Sequence, residues 1–93
     1  MFFYFQVNTY EIGTQGTGSC PEGYSILNDL ETCTAYSDNT ANVGWGYSHC
    51  WSDTAYLGCF TNGVDIYFNS CDTGSGYKAN RSPVCILTPS IQR

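Results

Sequence analysis

Six residues offer the clearest chemistry in this chain: Cys20, Cys33, Cys50, Cys59, Cys71 and Cys85, no two of them closer than nine positions apart. Thiolate ligands of a structural metal usually come in pairs about two to four residues apart, because two ligands from one turn can reach the same ion. No such pair occurs here. The spacing therefore predicts disulfides, and with them an oxidising, extracellular setting. His49 is the only histidine, with Ser48 and Asp53 near it in sequence. A hydrolytic triad needs its base placed by folding between a nucleophile and an orienting acid, which neighbours in one loop rarely achieve, so His49 reads as a surface or packing residue.

Asp29/Glu31 and Asp53/Asp65 are carboxylate pairs of the type glycosidases use. Nothing in the sequence fixes their separation or raises one pKa, and helix-start and loop solvation account for them better. Asp38-Asn39-Thr40-Ala41-Asn42 alternates oxygen donors but lacks the glycine turn and late bidentate acid of an EF-hand, so it reads as a turn. No catalytic residue, metal ligand or cofactor is expected. Trp45, Tyr47, Trp51 and Tyr56 are a stronger signal, because exposed rings among amides and hydroxyls make a sugar-binding platform. The competing expectation is that they pack over a disulfide or against a neighbouring subunit. Asn80-Arg81-Ser82 is an N-glycosylation acceptor by pattern, weakened by Pro83, and Thr88 and Ser90 are candidate O-linked sites.

These groups must be positioned by 93 residues, enough for one domain. A chain of this length buries only about 60–65% of its unfolded surface, which leaves an apolar core marginal. Each cross-link adds roughly 2–4 kcal/mol, mostly by restricting the unfolded ensemble. Charged residues are only 12% of the chain and aromatic residues 16%. Three basic against eight acidic residues give a net charge of -5, which repels phosphate backbones and argues against nucleic-acid binding. No stretch approaches the roughly twenty apolar residues of a membrane span. The opening run from Met1 to Val7 lacks a basic start and is short for a signal-peptide core, so it reads as mature protein.

Residues 2–12 alternate and are rich in Phe, Tyr and Val, as in a long strand. Phe3, Phe5 and Val7 point one way and Phe2 and Tyr4 the other. Covering both faces takes either a central place in the chain's own sheet or another molecule. Residues 13–18 read as a flexible glycine-rich connector. A short helix is expected over about 28–37, capped by Asn28 with Glu31 completing the box, and with Ile26, Leu30, Cys33 and Ala35 inward. Residues 37–56 read as an irregular loop. Asn62-Gly63 predicts a type I′ hairpin tip that sets Thr61 opposite Val64, Cys59 opposite Ile66 and Leu57 opposite Phe68, with Phe60, Asp65 and Tyr67 on the other face. A last strand is expected around residues 84–87.

Cys20-Pro-Glu-Gly-Tyr24-Ser-Ile26, the helix segment Asp29 to Cys33, Gly58-Cys59-Phe60, Ile66-Tyr67-Phe68-Asn69 and Val84-Cys85-Ile86 together resemble a small cysteine-rich module. That module recurs in predicted secreted and surface proteins of microalgae. The resemblance covers roughly residues 20–87 and implies a location and a fold more than an activity. The usual module carries four cysteines, matching Cys20, Cys33, Cys59 and Cys85, which leaves Cys50 and Cys71 as an extra pair most simply bonded to each other. Six cysteines allow about fifteen pairings, and the sequence does not choose among them. The expected set is Cys20–Cys85, joining first and last segments, Cys33–Cys59, joining helix to hairpin through two core-facing positions, and Cys50–Cys71, pinning the aromatic loop.

The reading is a small disulfide-rich α+β domain, with an antiparallel sheet, one short helix and an extended N-terminal strand. Residues 1–19 form strand and tether, 20–88 the stapled domain and 89–93 a tail. The expected function is a secreted, non-enzymatic structural module. It assembles with copies of itself into a filament or coat by strand addition through Phe2, Phe3, Tyr4, Phe5 and Val7. The alternative is a carbohydrate-binding module using the aromatic loop, and attached or bound glycans are expected partners in either case.

Overall fold

A central hairpin with apolar residues on both faces organises the molecule. The computed structural model describes residues 9–88, so Phe2, Phe3, Tyr4, Phe5, Val7 and Ser90 lie outside the described residues. The elements in chain order are β1 (Tyr10–Ile12), β2 (Tyr24–Ile26), α1 (Leu30–Asp38), β3 (Gly44–His49), β4 (Gly58–Thr61), β5 (Asp65–Asn69) and β6 (Ser82–Leu87). They make one six-stranded sheet in the order β1-β6-β4-β5-β3, with β2 also on β6. No helix among the described residues is long and apolar enough to cross a membrane.

In the hairpin, Cys59 pairs with Phe68, Thr61 with Ile66 and Phe60 with Tyr67. The pairing is displaced by two residues from the sequence expectation, and residues 62–64 join the two strands. A type I′ tip needs positive φ at both central residues. Only Gly63 provides it, at 94°, while the Asn62 side-chain oxygen accepts from the backbone N–H groups of Val64 and Asp65 at 2.9 and 2.8 Å. Because side chains alternate with period two, a two-residue displacement keeps Cys59, Ile66 and Phe68 on the core face and Phe60 and Tyr67 on the other, but it moves Val64 into the exposed turn and leaves Leu57 ahead of β4.

Cys59, Ile66 and Phe68 join Leu27, Cys33 and Val84 in the buried core, with Tyr10, Tyr36, Val43, Trp45 and Ile86 packed around it. The helix contributes little apolar surface to that core. Cys33 and Ser37 are its buried residues, whereas Leu30 and Ala35, expected inward, are exposed. The cap is Asp29, not Asn28: its carboxylate accepts from the Thr32 N–H at 2.8 Å and the Thr32 hydroxyl at 2.6 Å. These two bonds, the hydroxyl's first, hold the Asp29 pKa below the usual carboxylate value. Starting the helix one residue later puts Thr32, and not Glu31, at the position that would complete a capping box.

β6 runs through the middle of one half of the sheet, with β1 on one edge and β2 and β4 end to end on the other. Leu27 bridges β2 and β4, donating to the Val84 carbonyl at 3.0 Å and accepting from the Cys59 N–H at 2.8 Å. Gly58, at φ 79°, makes the turn into β4, and a Cβ there would sit 2.9 Å from the Leu27 carbonyl oxygen. The glycine-rich connector is held more closely than its composition suggests. Gly13 donates to the Pro83 carbonyl and Gly16 to the Arg81 carbonyl, both at 2.8 Å. β3 corrects the expectation of an irregular 37–56 loop: it pairs parallel with β5, with a register irregularity between Trp45 and Ser48.

All three disulfides join the expected partners: Cys20–Cys85, Cys33–Cys59 and Cys50–Cys71. The last two close spans of 26 and 21 residues, so the chain-entropy gain is nearly the same, about 3 kcal/mol each. Burial separates them, since Cys33 and Cys59 are fully enclosed and Cys50 is exposed. Replacing both members of a pair by serine leaves buried hydroxyls only in the core pair, each adding about 1–3 kcal/mol where no partner is found. Cys33→Ser/Cys59→Ser should therefore lose roughly 2–6 kcal/mol more than Cys50→Ser/Cys71→Ser, the cost of two buried hydroxyls without partners. Urea unfolding of both variants checks this, and equal losses would show that core burial of the bridge is irrelevant.

Candidate ligand-binding cleft

The sheet face opposite α1 carries aromatic rings where the other face carries the core. Phe60 and Tyr67, neighbours across the hairpin, stack with centroids 5.4 Å apart. Trp51 meets both edge-on, at 5.7 and 6.1 Å, and Tyr47 closes the group 5.4 Å from Trp51 and 5.7 Å from Tyr67. Edge-to-face and offset pairs at these spacings fix ring orientation as well as burying area. The irregularity in β3 lets Tyr47 reach this face. Gly46 is required beside it, because a Cβ there would collide with the Tyr67 ring. Between these rings and the 78–81 turn lies an open cleft of about 230 Å³, also lined by Asp53, Thr54, Lys78 and Arg81.

Two supports hold the cleft in shape. Asn69, at the end of β5, is 1% exposed and its side chain is fully engaged. Its oxygen accepts from the N–H groups of Trp51 (2.9 Å) and Cys71 (3.1 Å), and its nitrogen donates to the carbonyls of Trp51 and Tyr56, both at 2.9 Å. The amide thus clamps Trp51 through both of its backbone polar groups, next to the Cys50–Cys71 bridge. Tyr56 is the second support. It is 2% exposed, stacks beneath Phe60 at 5.8 Å, and places its hydroxyl 3.0 Å from the Arg81 carbonyl and 3.2 Å from that of Lys78. Burial raises its pKa above the usual 10.0, with Tyr77 adding and Arg81 opposing, so the phenol keeps its donor proton at neutral pH.

Of the four aromatic residues singled out from sequence, the structure brings Tyr47 and Trp51 together at the cleft and places the other two elsewhere. Tyr56 lies underneath as a support. Trp45 turns to the opposite face and packs against the core, because its strand position pairs it with inward-facing Ile66. Phe60 and Tyr67 were assignable to one face by strand alternation, but Asp53, Lys78 and Arg81 come from loops that only the fold brings near. His49 is exposed, its ring 5.1 Å from Trp51. Asp53 lines the cleft and Asp65 belongs to the hairpin, so that pair is split, whereas Asp29 and Glu31 stay together at the start of α1 as its cap and a first-turn residue. The Asp38–Asn42 segment ends α1, with the Asn39 side chain donating to the Ala35 carbonyl at 2.8 Å. Among the described residues no cluster of three or more His, Cys, Asp or Glu could hold a metal ion.

Asn80 is exposed, and Ser82 of the same acceptor pattern is buried in β6. Thr88 is exposed and donates to the Ser25 hydroxyl at 3.1 Å. No protein-family model, curated protein or solved structure matches this chain.

Removing the Asn69 side chain strands buried backbone groups of the Trp51 loop, each worth about 1–3 kcal/mol. Asn69→Ala should lower unfolding stability by about 2–4 kcal/mol on that basis, and Trp51 emission should shift to the red in a Trp45→Phe background. A loss under about 0.5 kcal/mol, the level of an ordinary surface substitution, would show that the clamp is not needed.

Proposed function

We propose that this chain is a secreted, non-enzymatic binding module that holds carbohydrate in the cleft between the Tyr47/Trp51 rings and the 78–81 turn. The observation that carries the reading is the pairing of ring faces with hydrogen-bonding groups in one preformed concavity. Tyr47 is 56% exposed, and the Asp53 carboxylate and two cations stand around the same cleft, while the Thr54 hydroxyl in its wall is held by Gly76 and Tyr56. Sugars present apolar C–H faces edged by hydroxyls, so a site for them needs an aromatic wall and a few placed polar groups. The Asn69 clamp, the Cys50–Cys71 bridge and the Tyr56 prop order this loop before any ligand arrives, which reduces the entropy lost on binding. Among the described residues one carboxylate, Asp53, lines the cleft, whereas glycosidic hydrolysis ordinarily uses two flanking the bond, which favours binding over cleavage. Three disulfides support the extracellular setting.

Glycan-array or calorimetric binding should fall roughly tenfold in Trp51→Ala, the equivalent of about 1.4 kcal/mol. It should be unchanged in Trp45→Phe, whose ring lies on the far face. Equal losses in the two variants, or no glycan bound at all, would remove the proposal.

Assembly by strand addition is a second reading, and β1 is the observation in its favour. Thr9 and Gly13 bond to β6 through the Leu87 N–H and the Pro83 carbonyl, and Glu11 lies opposite Cys85 between them. By alternation, the N–H and C=O groups of Tyr10 and Ile12 face outward, along an edge unpaired among the described residues. Such an edge is a template for another strand, here the aromatic segment of a neighbouring copy. Deleting residues 1–8 leaves β1 in place and should reduce particle size in light scattering to that of the monomer. Persistence of full-size assemblies would end this reading.

A further inference from the structure

We infer that the cleft selects anionic sugars, bearing carboxylate or sulfate groups, through Lys78 and Arg81. This rests on the carbohydrate reading of the cleft. The chain has three basic residues against eight acidic ones, and two of the three stand at this one concavity; the third, Arg93, lies outside the described residues. A protein of net charge -5 gains no solubility from cations, so their joint placement calls for a local reason. Among the described residues neither cation is spent on an ion pair within 4.0 Å, although Asp53 lines the same cleft.

Their backbone is anchored, which a pair of merely solvated side chains does not require. The Arg81 N–H donates to the Lys78 carbonyl at 3.1 Å, closing the turn that carries both residues. The Tyr56 hydroxyl reaches both carbonyls from below, and Gly16 donates to the Arg81 carbonyl at 2.8 Å. The turn is thereby tied to the aromatic floor on one side and to the N-terminal connector on the other. Arg81 offers a planar fork matched to carboxylate or sulfate oxygens, and Lys78 a compact point charge. Asp53 complements them: it accepts from ring hydroxyls and repels a misplaced acid group, so a ligand with charge on one side and hydroxyls on the other fits in one orientation. Over the rest of the described surface the acidic excess discourages a polyanion, which confines its binding to this cleft.

The test compares three oligosaccharides of equal length by calorimetry: a neutral glucan, a uronate oligomer and a sulfated galactan, each at low and high salt. Wild-type protein is measured beside Trp51→Ala and the Lys78→Gln/Arg81→Gln double variant, with thermal unfolding confirming that each is folded. One or both acidic ligands should bind at least tenfold more tightly than the glucan, the advantage shrinking as salt rises. The double variant should erase that advantage, and Trp51→Ala should weaken binding of the preferred acidic ligand. Which acidic ligand is preferred identifies carboxylate or sulfate as the recognised group. Equal binding of neutral and acidic ligands overturns the inference and leaves the carbohydrate cleft standing. Binding of none overturns both. Acidic binding that survives Trp51→Ala undiminished also overturns it, because the site is then a charged patch that does not read sugar.

Discussion

The Cys33–Cys59 bridge is the contact on which the rest of the molecule depends. It joins α1 to the centre of the hairpin, with both residues fully enclosed and their Cα atoms 5.7 Å apart. A nine-residue helix is too short to persist alone in water, and this one offers no continuous apolar stripe that could dock it by burial. The cross-link fixes its position where side-chain packing is thin. Leu27, Ile66, Phe68 and Val84 then close around the sulfur atoms as the buried cluster. In so small a domain the core is organised by the bridge as much as by apolar contact.

With one face secured, the hairpin's other face is free for a different use. Phe60 and Tyr67 are part of the same ladder as Cys59, Ile66 and Phe68 but point away from them. Rigidity gained on the core side is transmitted to the ring cluster through a shared backbone. The Asn69 clamp and the Cys50–Cys71 bridge extend it into the loop carrying Trp51, and Tyr56 extends it into the turn carrying Lys78 and Arg81. The cleft thus has a floor of strand residues, and the loop and turn that complete it are held by buried side chains beneath them.

The elements legible in the sequence are those governed by short-range rules. The hairpin's faces followed from alternation, and they held even though its turn did not, because a displacement of two residues is invisible to a period-two pattern. The helix was legible in kind but its cap was not, since Asn28 and Asp29 are both good caps and only the backbone decides which one reaches Thr32. β3 escaped detection because Gly-Trp-Gly-Tyr-Ser-His has two glycines and no β-branched residue. Its partner β5 also lies some twenty residues away in a parallel pairing. The rings of the 45–56 segment are legible in the sequence but their facing is not, because the strand through Trp45 and the irregularity after it send that ring and Tyr47 to opposite faces.

What the sequence determined unaided is the covalent character of the domain. Cysteine number and spacing exclude a compact thiolate metal site, low charge and high aromatic content follow from composition, and the net charge of -5 disfavours a polyanion over the surface as a whole. None of these depends on where the chain goes in space. Tertiary structure decided the location of the groups at the cleft, because Tyr47, Asp53, Tyr67 and the turn carrying Lys78 and Arg81 come from separate segments that only sheet pairing and buried hydrogen bonds bring together. Composition is additive along a chain, whereas a binding site depends on distances between segments, and those are set when the hairpin, the bridges and the Asn69 amide are all in place.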